Sequence, residues 1–340
     1  MIIVMSTEAT EDNVLEVLRR LEDRGYGHHI SRGVERTIIG AIGAPDGEKR
    51  AVAEQLGQLE GVERVVPILR PYKLVSREHH ADTTTVNIGS FSFGRDRVGV
   101  IAGPCSIESR EQLLEVAMKV KAAGAIALRG GAYKPRTSPY AFQGLGKEGL
   151  ELLKEAGAAS GLPVVTEVMD LRHVEIAHDF ADCLQIGTRN MQNYDLLREV
   201  GRTSKPIILK RSYAATVDEW LQAAEYIASA GNLQIILCER GIRTFETATR
   251  YTFDLAGAIH ARFESLLPII ADPSHAAGNH RLVGPLAMAA LAAGLDGLMI
   301  EVHPHPDRAL SDGPQSLTPK RFEALMGSLA AAAKAAGREL

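Results

Sequence analysis

A ten-residue segment near the middle of the chain carries three cations and two hydroxyls. It reads Arg129-Gly-Gly-Ala-Tyr-Lys-Pro-Arg-Thr-Ser138 and follows the apolar run 125–128, which the pattern predicts to be a buried strand. Glycines allow a sharp turn there, and Pro135 stiffens the middle of the loop. Arginine and lysine side chains beside hydroxyl donors suit phosphate and carboxylate groups. One such loop could simply be a solvated basic surface, but similar strand ends recur along the chain.

The six cations that follow predicted strands are Arg129, Lys134, Arg136, Arg189, Lys210 and Arg240. Because the whole chain has a net charge of −4, this local concentration of positive charge indicates substrates with several negative charges. Phosphates and carboxylates are the groups we expect them to bind.

A second set of strand-end residues offers sulfur, nitrogen and oxygen donors: Cys105, His275, Glu301 and Asp312. A thiolate, an imidazole and two carboxylates suit one divalent transition metal such as Mn, Zn, Fe or Co. No spacing rule enforces this site, so a buried, inert Cys105 is the alternative interpretation. Cys183 and Cys238 lie inside apolar runs and are predicted to be core thiols. His303, two residues after Glu301, is expected to point into the same site.

These residues must be positioned by a regular alternation of strands and helices. Short apolar runs lie at 98–102, 125–128, 163–166, 183–186, 206–209, 234–238, 268–271 and 297–300. Helical patterns separate them, most clearly at 110–122, 146–159, 216–229, 281–292 and 320–336. Eight strands alternating with helices over about 240 residues predict an α/β fold, the (β/α)8 TIM barrel. Closure of that barrel would bring the four metal donors together.

The first 70 residues predict a separate domain. Strands at 2–5, 28–31, 36–42 and 62–69, with one helix after Thr10 and another around Val52 and Leu56, give a ferredoxin-like βαββαβ order. This domain carries no catalytic constellation and is expected to bind or regulate. Residues 71–84 are polar and predict a linker, and residues 85–340 form the predicted barrel, preceded by a small hairpin that turns at Gly89-Ser90.

Composition narrows the class of protein. The chain has 340 residues, 45% of them hydrophobic, and only three cysteines, which favours a reducing compartment. Its N-terminus lacks a basic leader, and its most apolar span, 282–300, is interrupted by glycines, a proline and an aspartate. We therefore expect a cytoplasmic protein with no nucleic-acid or membrane partner.

Five motifs, in order, resemble the 3-deoxy-D-arabino-heptulosonate-7-phosphate (DAHP) synthase family, in its short-barrel type with an N-terminal ferredoxin-like regulatory domain. They are Ala102-Gly-Pro-Cys-Ser106, Arg129 to Ser138, Cys238-Glu-Arg-Gly241, Asp272-Pro-Ser-His275, and Glu301-Val-His303 with Ser311-Asp-Gly313. The resemblance covers essentially the whole chain. It implies a metal-dependent condensation of phosphoenolpyruvate with erythrose 4-phosphate, the first step of the shikimate pathway.

The resemblance also implies roles for individual residues. Cys105, His275, Glu301 and Asp312 would bind the metal. Arg189 and Arg240 would hold the phosphate of phosphoenolpyruvate. Its carboxylate and reacting carbons would face Arg129, Lys134 and Lys210. The phosphate of erythrose 4-phosphate would be bound by Arg136 and Thr137. Lys134 or a water at the metal would protonate the new alkoxide. Glu167 and His303 are both candidates for managing the attacking water, and the residues do not choose between them.

In the resembled type, the N-terminal domain binds an aromatic amino acid, and His29 and Ser31 match positions that contact it. Tyrosine or phenylalanine feedback inhibition and a homotetramer are therefore expected. One rival enzyme is the related octulosonate-8-phosphate synthase, which uses arabinose 5-phosphate but typically has Lys-Ala-Asn-Arg where this chain has Lys134-Pro-Arg-Thr. A rival of another class is a small-molecule sensor with a catalytically silent barrel.

Overall fold

The computed structural model describes residues 1–32, 37–67, 71–77, 83–136 and 138–340. They divide into two compact units, Met1–Pro71 and Tyr72–Leu340. Among these residues, the structure contains no helix long and apolar enough to cross a membrane.

The first unit has the βαββαβ order predicted from the sequence. Its elements are β1 (Ile2–Met5), α1 (Glu11–Glu22), β2 (Gly27–Arg32), β3 (Thr37–Ile42), α2 (Asp46–Gly57) and β4 (Val62–Val66). The sheet has the order β2-β3-β1-β4, and its pairs are antiparallel. Helix α1 begins as expected, because the Thr10 and Asn13 side chains satisfy each other's backbone N–H groups. The ferredoxin-like fold is confirmed.

The second unit begins with a hairpin that packs under a barrel. Strands β5 (Val86–Ile88) and β6 (Phe91–Phe93) pair antiparallel across the predicted turn. Their buried side chains belong to one apolar cluster with the inward-facing residues of the barrel strands. That cluster includes Cys183 and Cys238, so both thiols lie in the core as predicted.

Eight parallel strands form the closed barrel: β7 (Gly99–Gly103), β8 (Ala127–Arg129), β9 (Val164–Val168), β10 (Cys183–Ile186), β11 (Ile207–Lys210), β12 (Ile235–Glu239), β13 (Ile269–Ala271) and β14 (Gly297–Glu301). The helices are α3 (Arg110–Ala122), α4 (Lys147–Ser160), α5 (Val174–Phe180), α6 (Tyr194–Gly201), α7 (Val217–Ser229), α8 (Leu255–Glu264), α9 (Pro273–Ala277), α10 (His280–Ala292) and α11 (Pro319–Ala335). The predicted TIM barrel is confirmed.

Closure of the barrel depends on the pairing of its last strand with its first. Strand β14 pairs with β7 from Gly297↔Gly99 through Glu301↔Gly103. The register therefore places Glu301 beside the end of β7, two residues before Cys105. This pairing is what brings the two ends of the barrel sequence to one site.

The described part of the predicted linker packs on the barrel instead of spanning open solvent. Val75 is fully buried, and Ser76 forms a bridge with Ser265. The backbone of Thr84 donates to Leu266 at 2.7 Å. Tyr72 is buried in the same core cluster as Val75, and these side chains with a few backbone hydrogen bonds fix the described part of the segment.

Candidate active site

The four predicted metal donors meet at the carboxyl end of the barrel. One ligand atom from each of Cys105, His275, Glu301 and Asp312 lies within 4.8 Å of the others. Cys105 Sγ is 3.0 Å from Asp312 Oδ2, and His275 Nε2 is 3.4 Å from Glu301 Oε1. One sulfur, one imidazole nitrogen and two carboxylates at this spacing fit a single divalent transition metal.

Asp312 reaches this cluster through an unusual backbone conformation. Its φ is 53°, and it is the one non-glycine residue with a positive φ among those the structure describes. An aspartate tolerates the left-handed region better than most side chains, yet the conformation is still strained. The loop after β14 must therefore be held by its contacts to keep this carboxylate in place.

Asp272 orients His275. Its Oδ2 lies 2.7 Å from His275 Nδ1, and the same carboxylate forms an ion pair with Lys210. Burial alone would raise the pKa of Asp272, but His275 and Lys210 hold it well below its usual range. Burial lowers the pKa of His275 despite the nearby carboxylates of Asp272 and Glu301, so the imidazole is neutral near pH 7. A neutral ring held through Nδ1 presents Nε2 to the other donors, as metal binding requires.

Lys134 lies directly beside the thiol of Cys105. Its Nζ is 3.0 Å from the sulfur and 3.1 Å from the carbonyl oxygen of the same residue. Burial, followed by the charge of Glu301, raises the pKa of Cys105 to about 12. The thiol therefore keeps its proton until a cation displaces it.

All six predicted substrate-binding cations line one cavity of about 330 Å³ beside this cluster: Arg129, Lys134, Arg136, Arg189, Lys210 and Arg240. His275 and Asp312 line the same cavity, so the anion-binding and metal-binding sets share one space. Thr137, predicted to bind a phosphate with Arg136, lies outside the described residues. The cavity suits a small molecule with several negative charges.

Arg240 stands out within this set because it is buried without full compensation. It is 4% exposed, and its Nε and Nη1 have no hydrogen-bond partner among the described residues. Its guanidinium carbon lies 4.3 Å from the ring centre of Tyr251. Buried donors left unpaired are costly, and the cost is recovered when an anion binds to them.

Glu167 and His303 occupy different environments. Glu167 lines the cavity and accepts a hydrogen bond from Gln185 at 3.2 Å. His303 does not line that cavity: its Nδ1 accepts from the His305 backbone at 3.0 Å, and its Nε2 meets Glu108 at 3.3 Å. His303 is therefore not among the residues that line this cavity, and its part in the reaction stays a prediction.

Several residues of the site were not singled out in the sequence. Gln185 is buried at the cavity wall beside Glu167, and Tyr213 and Tyr251 line the cavity beside its arginines. Asp272 belonged to one of the five motifs but had no role assigned, although its position directly after β13 could have indicated one. Gln315 hydrogen-bonds Glu301 at 2.6 Å from within the loop after β14, and no sequence pattern predicts that contact.

His29 and Ser31, the predicted effector contacts, lie on an exposed face of the N-terminal sheet. They pair across from Gly40 and Ile38 of β3. Both side chains are exposed. Effector binding there stays a prediction.

A closed (β/α)8 barrel with a cationic cavity beside a four-donor cluster defines an enzyme of the barrel class that handles anionic small molecules. A family model described as the DAHP synthetase I family matches residues 78–335, and one described as the DAHP synthase ferredoxin-like domain matches residues 1–70. The chain belongs to the DAHP synthase family, as its motifs suggested.

Individual relatives agree with this assignment. A phospho-2-dehydro-3-deoxyheptonate aldolase from Thermotoga maritima is 48% identical over 337 residues, which covers 99% of each chain. A 2-dehydro-3-deoxyphosphooctonate aldolase from Syntrophotalea carbinolica is 34% identical over 68% of this chain and 90% of the relative. The crystal structure of the DAHP synthase from Thermotoga maritima matches with a TM-score of 0.83 at 47% identity, over 99% of this chain and 98% of that chain.

Proposed function

We propose that this enzyme condenses phosphoenolpyruvate with erythrose 4-phosphate to give DAHP and inorganic phosphate, and that it requires one divalent metal ion. The observation that carries the proposal is the shared cavity, in which the six predicted cations and Arg250 lie with two of the four donors of the metal cluster. The substrates bring two phosphates, a carboxylate and an aldehyde, and this cavity has complementary groups for each.

We assign the cations to the two substrates as the family resemblance implies. Arg189 and Arg240 would bind the phosphate of phosphoenolpyruvate, because Arg240 has unpaired, buried donors. Arg129, Lys134 and Lys210 are buried beside the metal cluster and would face its carboxylate and reacting carbons. Arg136, on the loop after β8, would take the phosphate of the aldehyde substrate.

The bond changes fit these placements. The enol carbon of phosphoenolpyruvate attacks the aldehyde, water adds at the neighbouring carbon, and phosphate leaves by C–O cleavage. A divalent ion held by the four donors would supply Lewis-acid stabilisation of the negative charge on the aldehyde oxygen. Lys134 stands beside that position and is our candidate for donating the proton to the new alkoxide. Glu167, which lines the cavity, is better placed than His303 to activate the water.

Replacement of Cys105 by serine tests the metal requirement. We expect Cys105→Ser to lose both bound metal and turnover, measured by metal analysis and phosphate release, because a serine hydroxyl is a much poorer ligand than a thiolate. Cys183→Ser is the matched control, since Cys183 is also fully buried but lies in the barrel core away from the donors. Full activity in Cys105→Ser would contradict the proposal.

The aldehyde substrate separates this proposal from its nearest rival. Octulosonate-type relatives match at 32–34% identity over 68–72% of the chain, against 48% and 99% for the heptulosonate-type relative. We expect erythrose 4-phosphate to be the preferred aldehyde and arabinose 5-phosphate to react far more slowly. The reverse preference would favour the rival. A sensor with a silent barrel loses its basis, because the chain belongs to an enzyme family.

We also propose that the N-terminal unit confers inhibition by an aromatic amino acid, within a homotetramer. A solved structure of a truncated Thermotoga maritima synthase matches 79% of this chain and 99% of its own, which encourages a truncation experiment. Removal of residues 1–70 should leave activity but abolish the response to tyrosine and phenylalanine. An unchanged response would place the effector site elsewhere.

A further inference from the structure

The two carboxylates of the metal cluster are held from outside by a pair of side chains. Gln315 Nε2 donates to Glu301 Oε2 at 2.6 Å, and Arg250 Nη1 donates to Asp312 Oδ1 at 3.0 Å. Arg250 Nη1 also donates to Gln315 Oε1 at 2.8 Å, so the pair links both carboxylates. The opposite oxygens, Glu301 Oε1 and Asp312 Oδ2, face the imidazole of His275.

We propose that Arg250 and Gln315 are positioning residues that fix the orientation of Glu301 and Asp312 and thereby set the affinity of the site for its metal. The inference rests on the proposed metal requirement. It concerns two residues outside the four-donor set, of which Arg250 also lines the cavity, and it assigns them a measurable effect on metal binding.

The orientation of Gln315 is determined by its neighbours. An arginine can only donate hydrogen bonds, and an ionised carboxylate can only accept them. The amide oxygen must therefore face Arg250, and the amide nitrogen must face Glu301. Gln315 is 2% exposed, so water does not compete for these contacts. One uncharged side chain thus transmits the position of Arg250 to Glu301.

Arg250 is held in place by backbone contacts rather than by burial. Its side chain is 37% exposed, but its backbone N donates to Ala277 at 3.2 Å, and that of Tyr251 donates to Ala276 at 3.0 Å. Both acceptors belong to α9, the short helix that carries His275. The segment bearing Arg250 is therefore attached to the same element as one metal ligand while its side chain holds another.

Charge and position predict opposite effects when Arg250 is replaced. Removing a cation from the neighbourhood of a metal site should, by Coulomb's law alone, tighten the binding of a divalent ion. Loss of orientation should weaken it, because Asp312 already has a strained backbone and would lose the donor at its outer oxygen. Gln315 is neutral, so its replacement changes the orientation of Glu301 without changing the net charge.

The test uses the full-length protein, stripped of metal and titrated with Co²⁺ without substrates, following the thiolate-to-cobalt absorption band. We expect Arg250→Gln and Gln315→Met each to weaken Co²⁺ binding by about 10-fold or more, the usual effect of losing an outer hydrogen bond to a ligand. Arg243→Gln is the matched control. Arg243 lies in the same segment, is exposed, and stacks on Tyr213 at 4.5 Å, away from the four donors.

Each outcome decides the inference. Weaker binding in the two variants with unchanged binding in Arg243→Gln supports it. Unchanged or tighter binding in Arg250→Gln overturns it, as does an equal loss in Arg243→Gln, which would indicate a general disturbance of this segment rather than loss of the contacts of Arg250. Gln315 is buried, so Gln315→Met could fail to fold. In that case the Arg250→Gln result alone decides the inference. A wild-type protein that binds no Co²⁺ would overturn the metal site itself, which separates the two failures.

Discussion

Replacing Arg240 by methionine should remove activity without removing stability. A buried residue usually stabilises the fold, so its loss is expected to lower the melting temperature. Arg240 differs because two of its donor nitrogens have no partner among the described residues. Burying these unpaired donors destabilises the folded protein in the absence of substrate, and Arg240→Met removes that destabilisation.

The size of both effects follows from the contacts. A hydrogen bond to a charged group contributes about 1.5–3 kcal/mol, so two such bonds to a bound phosphate amount to about 3–6 kcal/mol. That corresponds to a loss of roughly 10² to 10⁴-fold in kcat/KM for phosphoenolpyruvate. Relief of the unpaired donors is offset by the loss of the cation–π contact with Tyr251, about 2 kcal/mol when desolvated. Each unpaired donor costs about 1–3 kcal/mol, so we expect stability between unchanged and about 4 kcal/mol higher.

Arg211 provides a matched control. It directly follows β11, just as Arg240 directly follows the neighbouring strand β12. It is also 4% exposed, but it is fully compensated: its guanidinium lies 3.1 Å from Glu239 and 2.7 Å from Asp254, and its Nε donates to Ala215. Arg211→Met would leave the carboxylates of Glu239 and Asp254 without the cation that pairs with both of them. Breaking a buried ion pair in this way costs about 3–5 kcal/mol. The two arginines should therefore respond to the same substitution with opposite changes in stability.

Two assays distinguish these outcomes. Thermal unfolding without substrates gives the stability of wild type, Arg240→Met and Arg211→Met. Phosphate release at saturating erythrose 4-phosphate, with phosphoenolpyruvate varied, gives kcat/KM. If Arg240→Met unfolds as early as Arg211→Met, or keeps its kcat/KM within about 10-fold of wild type, Arg240 is a structural residue and the reasoning is refuted.

Two further substitutions test the supports of the site. Asp272→Asn should weaken metal binding by about 10–100-fold in a Co²⁺ titration, because an amide cannot hold the His275 ring and neutralise Lys210 as a carboxylate does. Unchanged affinity would show that the 2.7 Å contact between Asp272 and His275 does not matter for metal binding. Gly103→Ala should destabilise the protein by about 1–3 kcal/mol in denaturant unfolding. The new methyl carbon would lie 2.1 Å from the carbonyl oxygen of Arg129 at a φ of +154°, so a stable variant would mean that β7 and β8 can separate.

The strands, the helices and the residues at strand ends could be predicted because each depends on local pattern. Apolar runs identify buried strands wherever they occur, and the C-terminal ends of barrel strands always face the same cavity. Cys105 and Asp312 were therefore assignable to one site although 207 positions separate them. The packing of Tyr72 and Val75 against the barrel was not predictable, since a few apolar residues in a short polar segment carry no periodic signal.

The direction of a side chain beyond the end of its strand could not be predicted either. Alternation places Glu301 and His303 on one side only while the strand continues. The strand stops at Glu301, and the contact of His303 with Glu108 depends on how two loops meet. Gln315 was missed for the same reason, because its role exists only through its contacts with Arg250 and Glu301.

Charge compensation separates the cations that shape the cavity from those left for substrate. Arg129 pairs with Glu301, a donor of the metal cluster, at 2.9 Å, and Lys210 pairs with Asp272, the carboxylate that orients His275. Both cations are therefore engaged before any ligand arrives. Arg240 keeps two donors unpaired within the described part of the chain. Because compensated charges gain less from a new anion than uncompensated ones, phosphate affinity should depend most on Arg240. Arg129 and Lys210 should instead affect the geometry in which the bound substrates react.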